Sequence, residues 1–402
     1  MWRGNVGVAD VVMQWLKYHP HAMNTADTHS TPSTDPMQRA LALARNALFI
    51  SNPNPRVGCV IMSADGSREL GSGFTQQAGG AHAEVMALRD AAARGSDVRG
   101  ATAYVTLEPC SHQGRTGPCC DALIAAGIGK VVGAISDPNP RVAGDGFARL
   151  RAAGVDVEID TGTSGTQSRE LNIGFFSRMV RQQPWVRLKA GMSLDGATAL
   201  HNGESQWITS DAARADGQHW RARACAILTG IGTVLGDDPL LNVRHIDTPR
   251  QPRLVIVDSQ LRTPPTAKLF DVSREVLIYC ASLEGHAETI GALEGRGAKV
   301  MALPGEDGQI DLQAMLKDLG QREVNELHVE AGGTLNGALM QAGLVDECLL
   351  YIAPRVLGSA QTAFSGMQLT QLSTAPALQF RDVTPIGSDL RIRAVVEGRD
   401  PF

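Results

Sequence analysis

The sequence predicts an α/β protein built from two domains. Helical and strand-like segments alternate from residue 35 to about residue 180, and a second series of strands begins after a proline-containing break at residues 181–184. Such alternation is typical of helices packed on both faces of a mixed or parallel sheet. With 402 residues, 43% of them apolar, the chain is long enough to bury two cores.

Organised structure is expected to begin at Asp35. This residue can cap a helix whose first position is Pro36, which fits there because its missing N–H would have no partner in the first turn. Residues 1–34 carry no cleavage-site pattern and become rich in His, Thr, Ser and Pro towards their end. They are predicted to form a flexible N-terminal extension.

The first domain is predicted to span residues 35–181. Apolar spacing indicates helices over residues 37–48, 83–94, 119–126 and 147–153, and strands over residues 57–62, 102–107, 130–135 and 155–159. A further helical stretch around residues 171–179 is ended by the segment 181–184, because its proline cannot continue a helix.

The second domain is predicted to span residues 182–402. It opens on a strand over residues 185–191, followed by a loop over residues 192–196. Short apolar runs predict further strands over residues 225–228, 254–257, 276–279, 326–329 and 347–352. No internal repeat relates the two domains.

Charge and cysteine content narrow the functional class. A net charge of −5 gives no general attraction for nucleic acid, so no nucleic-acid partner is expected. The seven cysteines are odd in number and irregularly spaced, and no secretory signal precedes them, which favours a reducing, cytoplasmic location. No apolar run approaches the ~20 residues that a membrane-spanning helix needs, so no membrane partner is expected either.

Three short segments carry the strongest chemical signal: His82-Ala83-Glu84, Pro109-Cys110 and Pro118-Cys119. This order of histidine, glutamate and two prolyl-cysteine pairs is the pattern of zinc-dependent nucleobase deaminases. His82, Cys110 and Cys119 would form a three-ligand zinc site with its fourth position open to water. Zinc lowers the pKa of such a water, and Glu84 would be the catalytic group that moves its proton to the departing ammonia.

His112 and Cys120 lie beside these candidates and could compete as ligands. Cys120 directly follows Cys119, and at a helix start its side chain is expected to point elsewhere. A different class of function also stays open, a non-catalytic binding module stabilised by zinc. In that case a fourth protein ligand would close the site and Glu84 would be dispensable.

Two glycine-containing segments of the second domain could approach a phosphate. Residues 230–236 follow a strand and precede Asp258 at the end of another, which imitates a dinucleotide-binding unit. That unit needs a helix between its strands, and the segment Asp237-Asp238-Pro239 argues against one, so a Rossmann unit is not predicted.

The second segment, residues 330–334, precedes an apparent helix over residues 335–341. Backbone N–H groups at such a helix start suit a phosphate or diphosphate. Arg221 and Arg244 add basic side chains that could bind a phosphorylated substrate.

From about Met37 to near its C-terminus, the chain resembles the bifunctional deaminase–reductase family of bacterial riboflavin biosynthesis. In the first domain the resemblance rests on NPRVG (54–58), AHAE (81–84), LEPCSHQGRTGPC (107–119) and DPNPRVAG (137–144). In the second it rests on LKAGMSLDG (188–196), GESQWIT (203–209), TVLGDDP (233–239) and VEAGGTL (329–335). The eight residues between Cys110 and Cys119, in place of the commoner two, are that family's form of the motif.

The resemblance implies a three-layer α/β/α zinc domain of the cytidine-deaminase kind, followed by a dihydrofolate-reductase-like α/β domain that uses NADPH. The first would deaminate 2,5-diamino-6-(5-phosphoribosylamino)pyrimidin-4(3H)-one. The second would reduce 5-amino-6-(5-phosphoribosylamino)uracil to its ribitylamino product. It also implies a homo-oligomer.

Site residues follow from the resemblance by motif. In the first domain, the substrate would be bound by Asn54, His112 and Arg115. In the second, substrate positions are Ser205, Arg221, Leu241, Arg244 and Glu330, and cofactor positions are Gly191, Trp207, Thr209, Thr233, Asp237, Gly332, Gly333 and Thr334. The alternative left open is a zinc deaminase of another nucleobase or nucleoside with an unrelated second domain.

Overall fold

The computed structural model describes residues 35–112, 117–140, 143–358, 360–400 and 402. The predicted extension over residues 1–34 therefore lies outside the described residues, as does Arg115. The first described helix, α1 (Pro36–Ala44), begins as predicted, because the Asp35 side chain accepts a hydrogen bond from the Met37 N–H at 2.9 Å.

The first domain is built on a five-stranded mixed sheet, in agreement with the alternation of the sequence. Its elements are β1 (Gly58–Met62), β2 (Glu69–Phe74), α2 (Ala83–Ala93), β3 (Thr102–Val105), α3 (Cys119–Ala125), β4 (Lys130–Gly133), α4 (Asp145–Ala152) and β5 (Asp156–Ile159). The strand order is β2-β1-β3-β4-β5. β1 is antiparallel to both of its neighbours, and β3, β4 and β5 run parallel.

Strand β2 was not predicted, and its glycines explain why. Gly71 and Gly73 weaken the strand signal, but the fold needs both of them. A Cβ at Gly71 would lie 2.4 Å from the carbonyl oxygen of Ala87, and one at Gly73 would lie 2.5 Å from the Cβ of Met86. Helix α2, which begins next to His82, therefore packs directly on the backbone of β2.

Two helices lead to the second sheet. Helices α5 (Ser164–Leu171) and α6 (Ile173–Arg181) adjoin, and α6 ends where Gln182 adopts a φ of 60°. The helix end lies at the predicted break, and all strands described before it belong to the first sheet. The boundary at residues 181 and 182 stays a prediction.

The second domain is built on a nine-stranded sheet. Its elements are β6 (Trp185–Ser193), β7 (Ala197–Ala199), α7 (Asp211–Arg223), β8 (Ala226–Gly230), α8 (Ile231–Asp237), β9 (Arg253–Val257), β10 (Val276–Cys280), α9 (Ala287–Gly295), β11 (Ala298–Ala302), α10 (Leu312–Gln321), β12 (Glu326–Val329), α11 (Gly333–Gln341), β13 (Glu347–Ala353), β14 (Gln361–Thr362), β15 (Leu378–Ile386) and β16 (Asp389–Val396). The order is β11-β10-β9-β8-β12-β6-β13-β16-β15, with β14 and β7 forming a separate pair. Strands from β11 to β13 are parallel, and β16 and β15 are antiparallel additions at one edge.

Two local predictions need correction. The loop predicted over residues 192–196 is shorter, because β6 continues through Ser193. The argument that no helix follows Gly230 was also wrong, since α8 forms there and β8 and β9 are parallel neighbours. Asp237, Asp238 and Pro239 end this helix after seven residues, with Asp238 at a φ of 40°.

No helix in the described part of the chain is long and apolar enough to cross a membrane.

Candidate active sites

The predicted zinc ligands lie at the N-termini of two helices and at the end of one strand. His82 is the N-cap residue of α2, and Glu84 lies in the first turn of that helix. Strand β3 leads into the segment that carries Cys110, and Cys119 is the first residue of α3. The positive ends of both helix dipoles therefore face the site, which favours thiolates there.

The three ligand atoms are close enough to bind one ion. The Nδ1 of His82 lies 3.3 Å from the Sγ of Cys119 and 3.6 Å from the Sγ of Cys110, and all three lie within 4.8 Å of one another. In a tetrahedral zinc site with bonds of about 2.0 Å to nitrogen and 2.3 Å to sulfur, neighbouring ligands are about 3.5 Å apart. The cluster therefore fits zinc.

Glu84 lies beside this cluster without belonging to it. Its side chain is buried, and burial is the main reason that the pKa of its carboxyl is raised to about 7. Hydrogen bonds from Cys119 and His82 lower the pKa of Cys110 to about 4 despite its burial. The site thus contains a thiolate ligand and a carboxyl group that can hold a proton.

The competing ligands point away from the cluster. The Sγ of Cys120 lies 2.8 Å from the carbonyl oxygen of Cys110, to which it donates. His112 is exposed and outside the cluster. Among the residues described, His82, Cys110 and Cys119 form the one group of this kind.

Glu108 has a role that the sequence did not reveal. Its buried carboxylate accepts hydrogen bonds from four backbone N–H groups, those of Asp137, Gly144, Gly146 and Phe147. These bonds hold the segment that follows β4 against the strand end that carries Cys110. The sequence did contain an indication of this role. Glu108 lies within the LEPCSHQGRTGPC motif, and two of its four donors, Asp137 and Gly144, lie within the DPNPRVAG motif.

Asn54 lies at the same end of the sheet as the zinc ligands. The start of β1 is bonded to the end of β3, since Gly58 N–H donates to the Thr106 hydroxyl and Thr106 N–H donates to the Gly58 carbonyl, both at 3.1 Å. Asn54 lies four positions before Gly58, the first residue of β1, and its side chain has no hydrogen-bond partner in the described part of the chain. It is thus free to bind a ligand.

The second domain contains a large cavity of about 1800 Å³ at the carboxyl ends of its parallel strands. Every residue that the resemblance placed in the second site lines it: Gly191, Ser205, Trp207, Thr209, Arg221, Thr233, Asp237, Leu241, Arg244, Glu330, Gly332, Gly333 and Thr334. The segments are far apart in sequence, so their convergence is a property of the fold.

Arg221 is already paired in this cavity. Its guanidinium binds Glu330 through two contacts, Nε to Oε1 at 2.5 Å and Nη2 to Oε2 at 2.8 Å. Burial opposes ionisation of Glu330, but Arg221 outweighs it and holds the pKa of the carboxyl well below its usual range. The prediction that Arg221 and Arg244 bind a phosphorylated substrate stays a prediction. Arg221 already has a carboxylate partner, whereas Arg244 is exposed in the same cavity and has no ion pair among the described residues.

Lys189 is a cavity residue that sequence reasoning missed. Its Nζ has no hydrogen bond or ion pair within the described ranges, and it lies 5.9 Å from the centre of the Tyr351 ring. Burial lowers the pKa of this ammonium, and Glu330 acts against that shift. In the sequence, the one indication that Lys189 is functional is its place in the LKAGMSLDG motif.

The predicted phosphate loop lies at the start of α11. Gly332 caps this nine-residue helix and Gly333 is its first residue. A Cβ at Gly333 would lie 2.2 Å from the carbonyl oxygen of Thr362 and 2.6 Å from the hydroxyl of Ser365. Residue 333 therefore has to be glycine if the start of α11 is to keep its position in the cavity wall.

These features define a two-domain enzyme with a zinc-dependent deaminase site and a separate cofactor-sized cavity. Residues 31–135 match the family model of the cytidine and deoxycytidylate deaminase zinc-binding region, and residues 184–392 match the RibD C-terminal domain. The chain is 45% identical to the riboflavin biosynthesis protein RibD of Escherichia coli and 41% identical to that of Haemophilus influenzae. The matches cover 89% and 90% of this chain and 98% and 97% of those proteins.

Solved structures agree. A RibD structure from Acinetobacter baumannii is 41% identical, with a TM-score of 0.81 over 90% of this chain and 98% of the other. A deaminase/reductase from Thermotoga maritima is 32% identical, with a TM-score of 0.79 over 90% and 98%. The chain belongs to the RibD family of bifunctional riboflavin biosynthesis deaminase–reductases.

Membership confirms the main predictions. The chain is a deaminase and reductase of riboflavin biosynthesis, its cofactors are Zn²⁺ and NADPH, and its fold is α/β with a cytidine-deaminase-like domain followed by a reductase domain. The alternative of an unrelated second domain is wrong, because residues 184–392 match the reductase family.

Proposed function

We propose that the two sites act in sequence on phosphorylated pyrimidines. The first converts 2,5-diamino-6-(5-phosphoribosylamino)pyrimidin-4(3H)-one into 5-amino-6-(5-phosphoribosylamino)uracil, and the second reduces this product to its ribitylamino form. The Thermotoga maritima protein of similar structure is named for both activities, as a diaminohydroxyphosphoribosylaminopyrimidine deaminase and a 5-amino-6-(5-phosphoribosylamino)uracil reductase. The observation that supports the proposal best is that one chain holds both the His82, Cys110 and Cys119 cluster with Glu84 beside it and the reductase cavity.

In the first site, Zn²⁺ when bound supplies a Lewis acid that makes water acidic enough to attack near neutral pH. Glu84 takes the proton of the attacking water and delivers it to the amino group that leaves as ammonia. Its buried position next to the cluster suits both steps, because a carboxyl shielded from solvent can hold and return a proton. Asn54 binds the pyrimidine ring, and His112 and Arg115 contact the base or its phosphate.

In the second site, NADPH when bound supplies the hydride for C1 of the sugar. The chain's task is to orient the two reactants. Cofactor contacts are assigned to Gly191, Trp207, Thr209, Thr233, Asp237, Gly332, Gly333 and Thr334. Substrate contacts are assigned to Ser205, Arg221, Leu241, Arg244 and Glu330, all of which line the same cavity.

We infer further that the chain works in the cytoplasm as a homo-oligomer on small molecules, without nucleic acid. The oligomer is supported by β15, an edge strand that exposes Leu378, Phe380 and Val383. Exposed apolar edge strands tend to pair with another chain.

Replacing Glu84 by glutamine tests the deaminase mechanism. The amide keeps the shape of the side chain but cannot move the proton, so ammonia release should fall at least about a hundredfold. Bound zinc, measured on the purified enzyme, and NADPH oxidation with the deaminated pyrimidine should both be retained. Glu69→Gln, which changes a partly exposed carboxylate on β2, is the matched control.

Two outcomes would contradict the proposal. Undiminished deamination by Glu84→Gln, with zinc retained, would refute the proton-transfer role of Glu84. A well-folded wild-type enzyme that oxidised no NADPH in the presence of 5-amino-6-(5-phosphoribosylamino)uracil would refute the reductase half.

A further inference from the structure

The segment that contains Asn54 is bonded to both domains, and its middle is bonded to the second. Residues 49–56, the Asn54 loop, connect α1 and its following turn to β1. Within the first domain, this loop is bonded at its two ends. The N–H groups of Ile50 and Ser51 donate to the Ala47 carbonyl, and the Asn172 side chain bonds both the N–H and the carbonyl of Arg56. Arg56 Nη1 also donates to the Leu171 carbonyl at 2.8 Å. The Asn54 N–H also donates to the Ser51 carbonyl inside the loop itself.

Three groups in the part of the loop that precedes Arg56 form hydrogen bonds with the second domain. The Arg250 Nε donates to the carbonyl of Phe49 at 3.2 Å. Asn52 Nδ2 donates to the carbonyl of Arg223 at 3.1 Å. Asn325 Nδ2 donates to the carbonyl of Pro53 at 2.8 Å, so the residue next to Asn54 is bonded to the start of β12.

The last contact is a buried ion pair. Arg56 Nη1 lies 2.5 Å from Glu326 Oε1, and the two side chains are 4% and 0% exposed. Glu326 also binds Arg187 at 2.8 Å and Arg223 at 2.7 Å. Arg56 is thus fixed to a carboxylate that the second domain itself holds in place.

The approach of the domains is close at this point. A Cβ at Gly174 of α6 would lie 2.5 Å both from the carbonyl oxygen of Asn325 and from the Cγ of Glu326. Arg178, one helical turn further on, donates to Asn325 Oδ1 at 2.6 Å. The Asn325 amide therefore has a fixed orientation, with its oxygen on α6 and its nitrogen on the Asn54 loop.

We propose that Asn325 and Glu326 are positioning residues for the deaminase: they hold the Asn54 loop in the conformation that binds the pyrimidine ring. The inference rests on the proposed role of Asn54. The zinc ligands are His82 at the N-cap of α2, Cys110 after β3 and Cys119 in α3, and Glu84 lies in α2. Within the described ranges, none of these segments is hydrogen-bonded or ion-paired to Asn325 or Glu326. Loosening the loop therefore weakens substrate binding and leaves the chemical step intact.

Asn325→Asp in the full-length chain is the primary test. Aspartate keeps an acceptor for Arg178 but replaces the donor to Pro53 with a second acceptor. Since one hydrogen bond contributes about 0.5–1.5 kcal/mol, the KM of deamination should rise about three- to tenfold. The kcat of deamination and both reductase constants should stay at wild-type values.

Arg178→Gln is the matched control, because it alters the other contact of Asn325 and leaves the bond to Pro53. It should keep the wild-type KM. Asn52→Asp is a second variant, which removes the donor to the Arg223 carbonyl from the loop side, and it should raise KM without lowering kcat. It keeps the inference testable if Asn325→Asp fails to fold.

The outcomes separate this inference from the proposed role of Asn54. If Asn54→Ala leaves KM unchanged, the assignment of Asn54 itself is wrong. If Asn54→Ala raises KM but Asn325→Asp and Asn52→Asp do not, the positioning role is refuted on its own. An equal fall of kcat in both activities, or an equal rise of KM in Arg178→Gln, would show general loosening of the domain interface and would also refute it.

Discussion

At the residue scale, Gly333 makes the strictest demand on the reductase site. Its replacement by alanine would drive a Cβ to 2.2 Å from the Thr362 carbonyl oxygen, so the start of α11 would have to move. Overpacking of this kind costs about 1–3 kcal/mol. We expect the KM for NADPH to rise about tenfold, with deamination unchanged, in steady-state assays.

Gly236→Ala is the control for this prediction. Gly236 lines the same cavity, but a Cβ there would meet nothing within 4 Å. Unchanged NADPH affinity in Gly333→Ala, or an equal loss in both variants, would contradict the steric argument.

The sequence was a good guide to single residues where chemistry restricts the residue type. His82, Cys110 and Cys119 could be predicted because few residue types bind zinc, and the structure brings their ligand atoms together. The role of Lys189 could not be predicted, because a lone lysine in a strand most often faces solvent. Only the fold shows that its side chain lines the cavity. The pairing of Arg221 with Glu330 likewise depends on the fold, because the two residues are 109 positions apart in the sequence.

At the element scale, β12 concentrates the buried charge of the second domain. Glu326 is bound by three arginines and is fully buried. Removing one partner of such a cluster leaves uncompensated buried charge, so Glu326→Gln should lower the free energy of unfolding by about 3–5 kcal/mol in urea titrations. Glu275→Gln, at a partly exposed pair with Lys299, should cost less than about 1 kcal/mol. Equal costs for the two variants would contradict this account.

The same carboxylate predicts a dependence of stability on pH. Burial opposes ionisation of Glu326, but Arg223, Arg56 and Arg187 outweigh it, so its pKa in the folded chain is well below the usual range. Its contribution is therefore complete above the unfolded pKa of about 4.3 and is lost as pH falls below that value. Unfolding titrations between pH 6 and about pH 3 should show a smaller loss of stability in Glu326→Gln than in the wild type. If the stability of the two proteins fell equally over this pH range, the prediction would be wrong.

Whole elements were predictable where apolar residues follow a clear period. Strands β9, β10 and β13 contain apolar runs, and in β12 polar and apolar residues alternate. The predicted positions of all four agree with the structure to within one residue. Helix α7 was missed because it is largely polar, with two buried residues, Ala213 and Ala222. Strands β15 and β16 were not predicted either, and β15 is mostly exposed, so it contributes little to the core.

At the scale of the whole molecule, the exposed edge of the nine-stranded sheet predicts self-association. Phe380 on β15 is 68% exposed. Phe380→Asp should shift the protein to a smaller species in size-exclusion chromatography with light scattering, because a charge on an edge strand opposes pairing. Leu283→Asp, in the loop after β10, should not. A monomeric wild type would refute the proposed oligomer.

The two-domain plan itself could be predicted, because each site has its own motifs and a proline-containing break separates them. The contacts between the domains could not. Asn52 and Asn325 are of a type that turns favour, and Arg56 is of a type that is mostly exposed. Nothing in their spacing indicates that Arg56 and Glu326, 270 positions apart, would meet.

The bonds between the Asn54 loop and β12 restrict how this chain can be recombined. A first domain transplanted onto a second domain without a carboxylate at this place would leave Arg56 in the interface without its partner, and a buried arginine without a partner is costly. Residues 49–56 and 325–326 should therefore be inherited as one unit, and a functional chimaera of two relatives would have to exchange both segments together.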